Sequence, residues 1–279
     1  MLFQSAGVIG AVTAGLSQLG TAEADDSPVC PTDFSEQDED EDKDEDEDDT
    51  VPDLREERFT IQEGTSYATD AFVRESSTDG PTAVVFGGLH GNETAGHRAA
   101  ARIADWEPVR GTLVVVPEAN AVAVERSTRV SPNGDLNRQF PADEEPTTPL
   151  ARELWEIVEE FDADVVLDLH TSRGIWNSDV GPTGFGQAVF PTEAGRPIAD
   201  EAIQGMNEFL HSGKPGHYTF TRGNTLTGAR PMLIHKVGND LDRPGFLLEA
   251  TQHGTDLETR TAWLEELTAR ILRQTGVEV

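Results

Sequence analysis

Two histidines and two glutamates stand where the chain could gather them around one reaction. The run Phe86-Gly87-Gly88-Leu89-His90-Gly91-Asn92-Glu93-Thr94-Ala95-Gly96 sets His90 three residues before Glu93. An apolar stretch precedes the pair and a helical pattern follows it. A loop and a first helical turn can therefore aim both side chains at one metal ion. A second run, Asp168-Leu169-His170-Thr171, ends the apolar stretch DVVLDL. Side chains alternate along a strand, so Asp168 and His170 share a face, and a carboxylate beside an imidazole fixes its tautomer and orientation. His90, Glu93 and His170 together form a two-histidine, one-carboxylate set, which leaves a fourth zinc position open for water, as hydrolysis requires. Glu249 lies in the apolar run GFLLEAT. A carboxyl drawn partly out of water has a raised pKa and can act as a general base. The loop GDLNRQFP, residues 134–141, with Arg129 upstream, offers arginine forks suited to a carboxylate, and Asn137 beside Arg138 adds a neutral donor.

Each piece also has a plainer reading. His170 alone reads equally as a hydrogen-bonded core histidine, Glu249 as the partner of Arg243, and Arg138 as a surface arginine. His97, four residues beyond Glu93, is expected to cap or pack on the helix rather than to bind metal. The joint occurrence of the pieces at the ends of apolar runs favours the chemical reading, because open α/β sheets bind ligands at the carboxyl ends of their strands.

The elements that must position these residues are legible. Strands are predicted over Thr82–Phe86, Thr112–Val116, Asp164–Leu169, Gln187–Phe190 and Gly245–Ala250. Helices are predicted over Thr94–Ala104, Thr148–Phe161, Ala194–Leu210 and Asp256–Gln274. Continuous runs such as AVVF and LVVV suit strands covered on both faces. Strands alternating with helices predict an α/β fold, a three-layer α/β/α sandwich with a mixed, largely parallel sheet.

Composition narrows the function classes. The 279 residues carry a net charge of −31. Glu36 to Asp49 hold twelve acids and one lysine, a net of −11, which leaves about −20 for the rest. Lysine occurs only at Lys43, Lys214 and Lys236. An acidic, lysine-poor chain suits concentrated salt, where screening relieves carboxylate repulsion. Nucleic-acid binding calls for a basic footprint and is not expected. The lone Cys30 rules out an intramolecular disulfide and a cysteine-rich zinc site.

Residues 1–24 read as a signal peptide, an uncharged apolar run ending in Ala22-Glu23-Ala24. Met1-Leu2-Phe3-Gln4 would fit directly after a pair of arginines, so a twin-arginine-like signal with a truncated start is expected. The expected location is extracytoplasmic, with no stable membrane insertion after cleavage. An uncleaved anchor helix and a cytoplasmic protein are the alternatives. Residues 25–57 read as an acidic, disordered linker, and residues 58–279 as the catalytic domain.

The set GGLHGNETAG, STRVSPNGDLNRQFP, DVVLDLHTS and FLLEAT, in this order and spacing, resembles the succinylglutamate desuccinylase/aspartoacylase family of the zinc carboxypeptidase-like superfamily. The resemblance covers residues 80–255. It implies one zinc ion per chain held by His90, Glu93 and His170, with Glu249 as general base and Arg129 beside the oxyanion. It also implies that Asn137 and Arg138 hold a substrate carboxylate, with Arg230 as a later substrate arginine and Tyr218 as the weak candidate for the family's active-site tyrosine. The expected activity is hydrolysis of an amide or ester bond in a small-molecule or peptide substrate with a free carboxylate. Deacylation of N-acyl amino acids is the first form, a carboxypeptidase or amidase acting on extracellular peptides the second. A non-catalytic zinc or ligand-binding module is the reading from another class.

Overall fold

The apolar runs become the centre of one eight-stranded sheet in the computed structural model, which describes residues 54–210 and 216–279. The expected signal peptide, and the linker as far as residue 53, lie outside the described residues. The strands are β1 (Leu54–Ile61), β2 (Thr69–Ser76), β3 (Thr82–Gly87), β4 (Thr112–Val116), β5 (Val165–Ser172), β6 (Ala188–Pro191), β7 (Thr221–Arg222) and β8 (Gly245–Thr251). Their spatial order is β1-β2-β4-β3-β5-β8-β6-β7. The central β4, β3, β5 and β8 run parallel. β2 joins β4 antiparallel at one side, and β6 joins β8 antiparallel at the other.

The helices are α1 (Thr94–Ile103), α2 (Ala121–Glu125), α3 (Pro149–Glu160), α4 (Arg196–Leu210), α5 (Leu233–Lys236) and α6 (Leu257–Thr275). The two-residue alternation of strand side chains divides the core between the faces of the sheet. On β3, Ala83 and Val85 pack with α1, α4 and α6, while Val84 and Phe86 pack with α3 and α5. This is the expected α/β/α sandwich. Local signals fix the helix ends. Thr148 accepts a hydrogen bond from Ala151 N (3.3 Å) ahead of Pro149, and Asp256 accepts one from Thr259 N (2.7 Å). Gly276, at φ +86°, ends α6.

Strand β1 begins at Leu54, so residues 54–57 of the expected linker are strand instead. The sequence LREERFTI hides a strand because β1 is an edge with most residues exposed. Its charges pair across to β2, Arg55 with Glu75 (3.2 Å) and Arg58 with Asp70. The short α2 and α5 were not predicted either; four or five residues carry too little periodicity to read. Among the described residues no helix is long and apolar enough to cross a membrane.

Candidate metal centre and cleft

Three neighbouring segments deliver the donor atoms. His90 leaves the loop after β3, Glu93 caps α1, and His170 sits near the carboxyl end of β5. Helix α1 lies directly on β5 because residue 96 is glycine: a Cβ there would stand 2.2 Å from the carbonyl oxygen of Leu169. That close approach brings Glu93 to His170. His90 Nδ1 lies 2.8 Å from Glu93 Oε1, His170 Nδ1 lies 2.8 Å from Glu93 Oε2, and the two Nδ1 atoms are 3.1 Å apart. Glu93 Oε2 also accepts from Thr171 N at 2.9 Å. All three residues are buried.

The far nitrogens explain this convergence. His90 Nε2 faces Asp135 Oδ1 at 3.0 Å, and His170 Nε2 faces Asp168 Oδ2 at 2.7 Å. A carboxylate partner makes Nε2 the protonated nitrogen, so both Nδ1 lone pairs enter the same space beside a carboxylate. Two lone pairs and an anion meeting in a buried place repel one another unless a proton or a metal ion lies between them. The donor set therefore fits a metal ion, and this buried histidine-glutamate-histidine group could hold one.

The charge states follow from the same contacts. Burial by itself would push the Glu93 carboxyl up, but the imidazoles of His170 and His90 hold it well below the usual carboxylate range. Burial opposes the charged form of His170, yet Asp168 and Glu93 hold it well above the ordinary histidine value. Asp135 works against burial too; the His90 contact and the charges of Arg129 and Arg138 bring it down to about 2.

Glu249 behaves in the opposite way. It is the cross-strand partner of His170 in the parallel β5–β8 pair, so both side chains leave the sheet on one face. Its Oε2 is buried with no hydrogen-bond partner. Burial, then the negative charge of Glu93, pushes its carboxyl up to about 8, with His170 and Arg129 pulling the other way. Arg243, the alternative partner, instead holds Asp164 (2.5 Å) and Asp162 (3.3 Å) near the amino end of β5.

The centre opens into a cleft of about 820 Å³. Arg129, Arg138, Arg173 and Arg230 line it, and Glu93 and Glu249 are the acids among the lining residues. Arg129 reaches inward, with Nη1 3.1 Å from Glu93 Oε1 and Nη2 3.5 Å from Asp135 Oδ2. Arg138 donates to the carbonyl of Asn137 at 2.6 Å. Among the described residues, neither Arg138, Arg173 nor Arg230 has an ion-pair partner. Asn137 also lines the cleft, but its amide is used inside the protein. Nδ2 donates to Asp168 Oδ2 (3.1 Å), and Oδ1 accepts from Leu233 N (3.0 Å). It braces the Asp168–His170 pair and ties it to α5, a different geometry from the substrate grip implied by resemblance.

Tyr218 does not reach the cleft. Its hydroxyl donates to the carbonyls of Gly254 (3.0 Å) and His253 (3.3 Å), and its ring packs against Trp263. Tyr67 lies in the opposite core layer. His97 is absent from the donor group and faces the Glu118 charge, with burial pushing its pKa down. Sequence reasoning missed Asp135, although the GDLNR motif contains it, because its partner His90 lies 45 positions away. It also missed His235, whose Nδ1 donates to the carbonyl of Gly228 at 3.0 Å.

Comparison with known proteins finds similarity to the same family over part of the chain. Residues 79–180 match the succinylglutamate desuccinylase/aspartoacylase catalytic domain. The N-alpha-acetyl-L-2,4-diaminobutyric acid deacetylase of Halomonas elongata is 37% identical over 100 residues, 33% of this chain and 29% of that protein. The tripeptide-bound cell shape determinant Csd4 of Helicobacter pylori superposes with a TM-score of 0.62 at 18% identity, over 81% of this chain and 56% of that one. A succinylglutamate desuccinylase from Silicibacter sp. TM1040 gives 0.57 at 19% identity, over 81% and 68%. The chain thus spans less than a third of the curated relative and about half of Csd4. The matched segment carries His90, Glu93 and His170, while Glu249 lies beyond it. Residues 79–180 are thus similar to the succinylglutamate desuccinylase/aspartoacylase catalytic domain, and the chain has a zinc carboxypeptidase-like fold.

Proposed function

We propose that this protein is a zinc-dependent hydrolase that removes an acyl group from N-acyl amino acids, cleaving an amide bond of a substrate that carries a free carboxylate. One observation carries the reading: Glu249, half-buried and with its Oε2 enclosed without a hydrogen-bond partner, stands beside the His90–Glu93–His170 donor set in a cleft lined by arginines. Zinc at those donors would supply a Lewis acid and lower the pKa of water to about 7. Glu249 would take a proton from water as the oxygen adds to the carbonyl carbon and would pass it to the amine as the C–N bond breaks, a role that calls for a carboxyl poised near neutral pH. Arg129 offers its guanidinium where negative charge develops on the carbonyl oxygen. Arg138 and Arg230, free of ion pairs among the described residues, receive the substrate carboxylate and orient the scissile bond. Asp135 and Asp168 keep the imidazoles aimed, and Asn137 steadies Asp168.

Four arginines against two glutamates line the cleft in a chain of net charge −31, and this contrast favours an anionic substrate over a neutral one. A second reading, carboxypeptidase or amidase cleavage of peptides, draws on the cleft volume of about 820 Å³, roomier than a small acylated amino acid needs. Parallel assays of N-acyl amino acids and peptides with free carboxyl ends, at high salt, choose between the two. Failure of both in zinc-loaded protein would refute the hydrolase reading. The signal-like residues 1–24 support work outside the cytoplasm, and the chain's charge argues against a nucleic-acid partner. Adaptation to concentrated salt also fits Lys236: it is the single lysine among the described residues, and it is buried.

A further inference from the structure

One wall of the cleft has no part in the chemistry above. Trp176, Phe185 and Phe190 line it together. Trp176 stacks on Phe185 with ring centroids 5.5 Å apart and planes 19° off parallel, and Phe190 meets both rings edge-on at 5.3 and 6.1 Å. Leu226, Met232 and Leu247 continue the apolar surface. Phe185 is 54% exposed, which leaves much of an aromatic ring in water at the mouth of a charged site. Singly exposed apolar residues need no explanation, but a stacked set on the wall of a catalytic cleft does.

The shelf is held rigidly. Phe190 belongs to β6, and Trp176 and Phe185 ride on the connection between β5 and β6, whose two limbs touch backbone to backbone. A Cβ on Gly174 would lie 1.7 Å from the carbonyl oxygen of Pro182, and one on Gly184 would lie 2.4 Å from Gly174 N. Trp176 N donates to Gly186 O (2.8 Å), Gly186 N to Gly174 O (2.9 Å), and Phe185 N to Ser172 Oγ (2.9 Å). Rings fixed before a ligand arrives lose little freedom when it binds.

The strand order gives the shelf its place. The donors come from the segments at β3 and β5, Glu249 from β8, and Phe190 from β6 on the other side of β8. The aromatic wall thus lies beyond β8, the strand of Glu249, from the metal donors, and lines the same cleft.

We infer that the Trp176–Phe185–Phe190 shelf is a specificity subsite for a planar apolar group flanking the scissile bond, so that the preferred substrates carry an aromatic group. This rests on the hydrolase reading. The ring could belong to the acyl half or to the amino-acid half, and the same stacking surface serves either. The arginines hold the carboxylate in both cases.

The test uses the full chain with zinc and three probes: N-acetylglycine, N-benzoylglycine with the ring on the acyl half, and N-acetylphenylalanine with the ring on the amine half. Turnover is measured in the unaltered protein, and affinity by calorimetry in a Glu249→Gln background. At least one aromatic probe should exceed N-acetylglycine about tenfold or more in kcat/KM and in affinity. Phe185→Ala should erase most of that ratio while leaving N-acetylglycine within about twofold. Phe185 is exposed, so this variant should fold, and an unchanged melting temperature checks it. Trp176→Phe, which keeps a ring in the shelf, should retain the ratio. Turnover with no preference for either ring, or a preference that survives Phe185→Ala, overturns the subsite but leaves the hydrolase standing. Ring-dependent binding without turnover of any probe does the reverse.

Discussion

His90 and His170, eighty positions apart in the chain, present the same nitrogen to one another across 3.1 Å. Their other nitrogens are each backed by an aspartate, so the pair is braced from both sides beside Glu93.

That geometry predicts metal dependence. Purified protein should contain about one divalent ion per chain, and added zinc should raise the melting temperature of stripped protein, because a ligand that binds only the folded state stabilises it. His170→Ala and Glu93→Gln should abolish both effects. Elemental analysis with thermal melting is the check, and a folded chain that takes up no metal would falsify the assignment of the centre.

The aspartates behind the imidazoles make a finer prediction. Asp135→Asn should weaken metal affinity by roughly 10- to 100-fold without unfolding the protein, the usual cost of losing the carboxylate behind a metal-binding histidine. Competition against a chelator of known affinity measures it. An unchanged affinity would mean that Asp135 serves the loop, through its bond to Asn137 N at 3.0 Å, and not the metal.

Glu249→Gln should lower turnover by about 10²- to 10⁴-fold while the zinc content stays unchanged. Rate and metal content measured on one preparation separate loss of the base from loss of the centre.

The same residue sets a pH dependence in metal-free protein. Its folded pKa is raised from 4.5 to about 8. The folded state therefore holds a proton that the unfolded chain releases above about pH 4.5. The resulting stability is fully present below the unfolded value and is lost as pH rises through about 8. Metal-free Glu249→Gln, which cannot titrate there, should lose less stability than the parent between pH 5 and 9. Denaturant melts of both proteins across this range provide the comparison; parallel curves would rule out a raised Glu249.

Arg230→Ala and Arg138→Ala should raise KM for carboxylate substrates by about tenfold or more and lower kcat less. Lysine in place of either arginine should restore only part of the loss, because a point charge lacks the fork that grips a carboxylate. Amidated substrates should be insensitive to both changes. Steady-state kinetics on acid and amide pairs decide the point.

Much of this molecule could be read without coordinates. The central strands and the four long helices are local matters of apolar periodicity and capping residues, and they appear within two or three residues of their expected bounds. His90, Glu93, His170 and Glu249 were visible because they follow or interrupt apolar runs at strand ends, where burial of a polar group without a partner is costly. Other features depended on distance in space. Edge strand β1 looked like linker because charge hides a strand whose partner is not yet known. The bond between Asp135 and His90, the use of Asn137 as a brace, the withdrawal of Tyr218 to Gly254 and the pairing of Arg243 with Asp164 are long-range contacts. No local pattern encodes them. The chain's own pattern determined which residues could do chemistry, because that follows from side-chain type and strand position. Which of them share a cleft, and which wall is aromatic, was decided only when the sheet order set β5, β8 and β6 side by side.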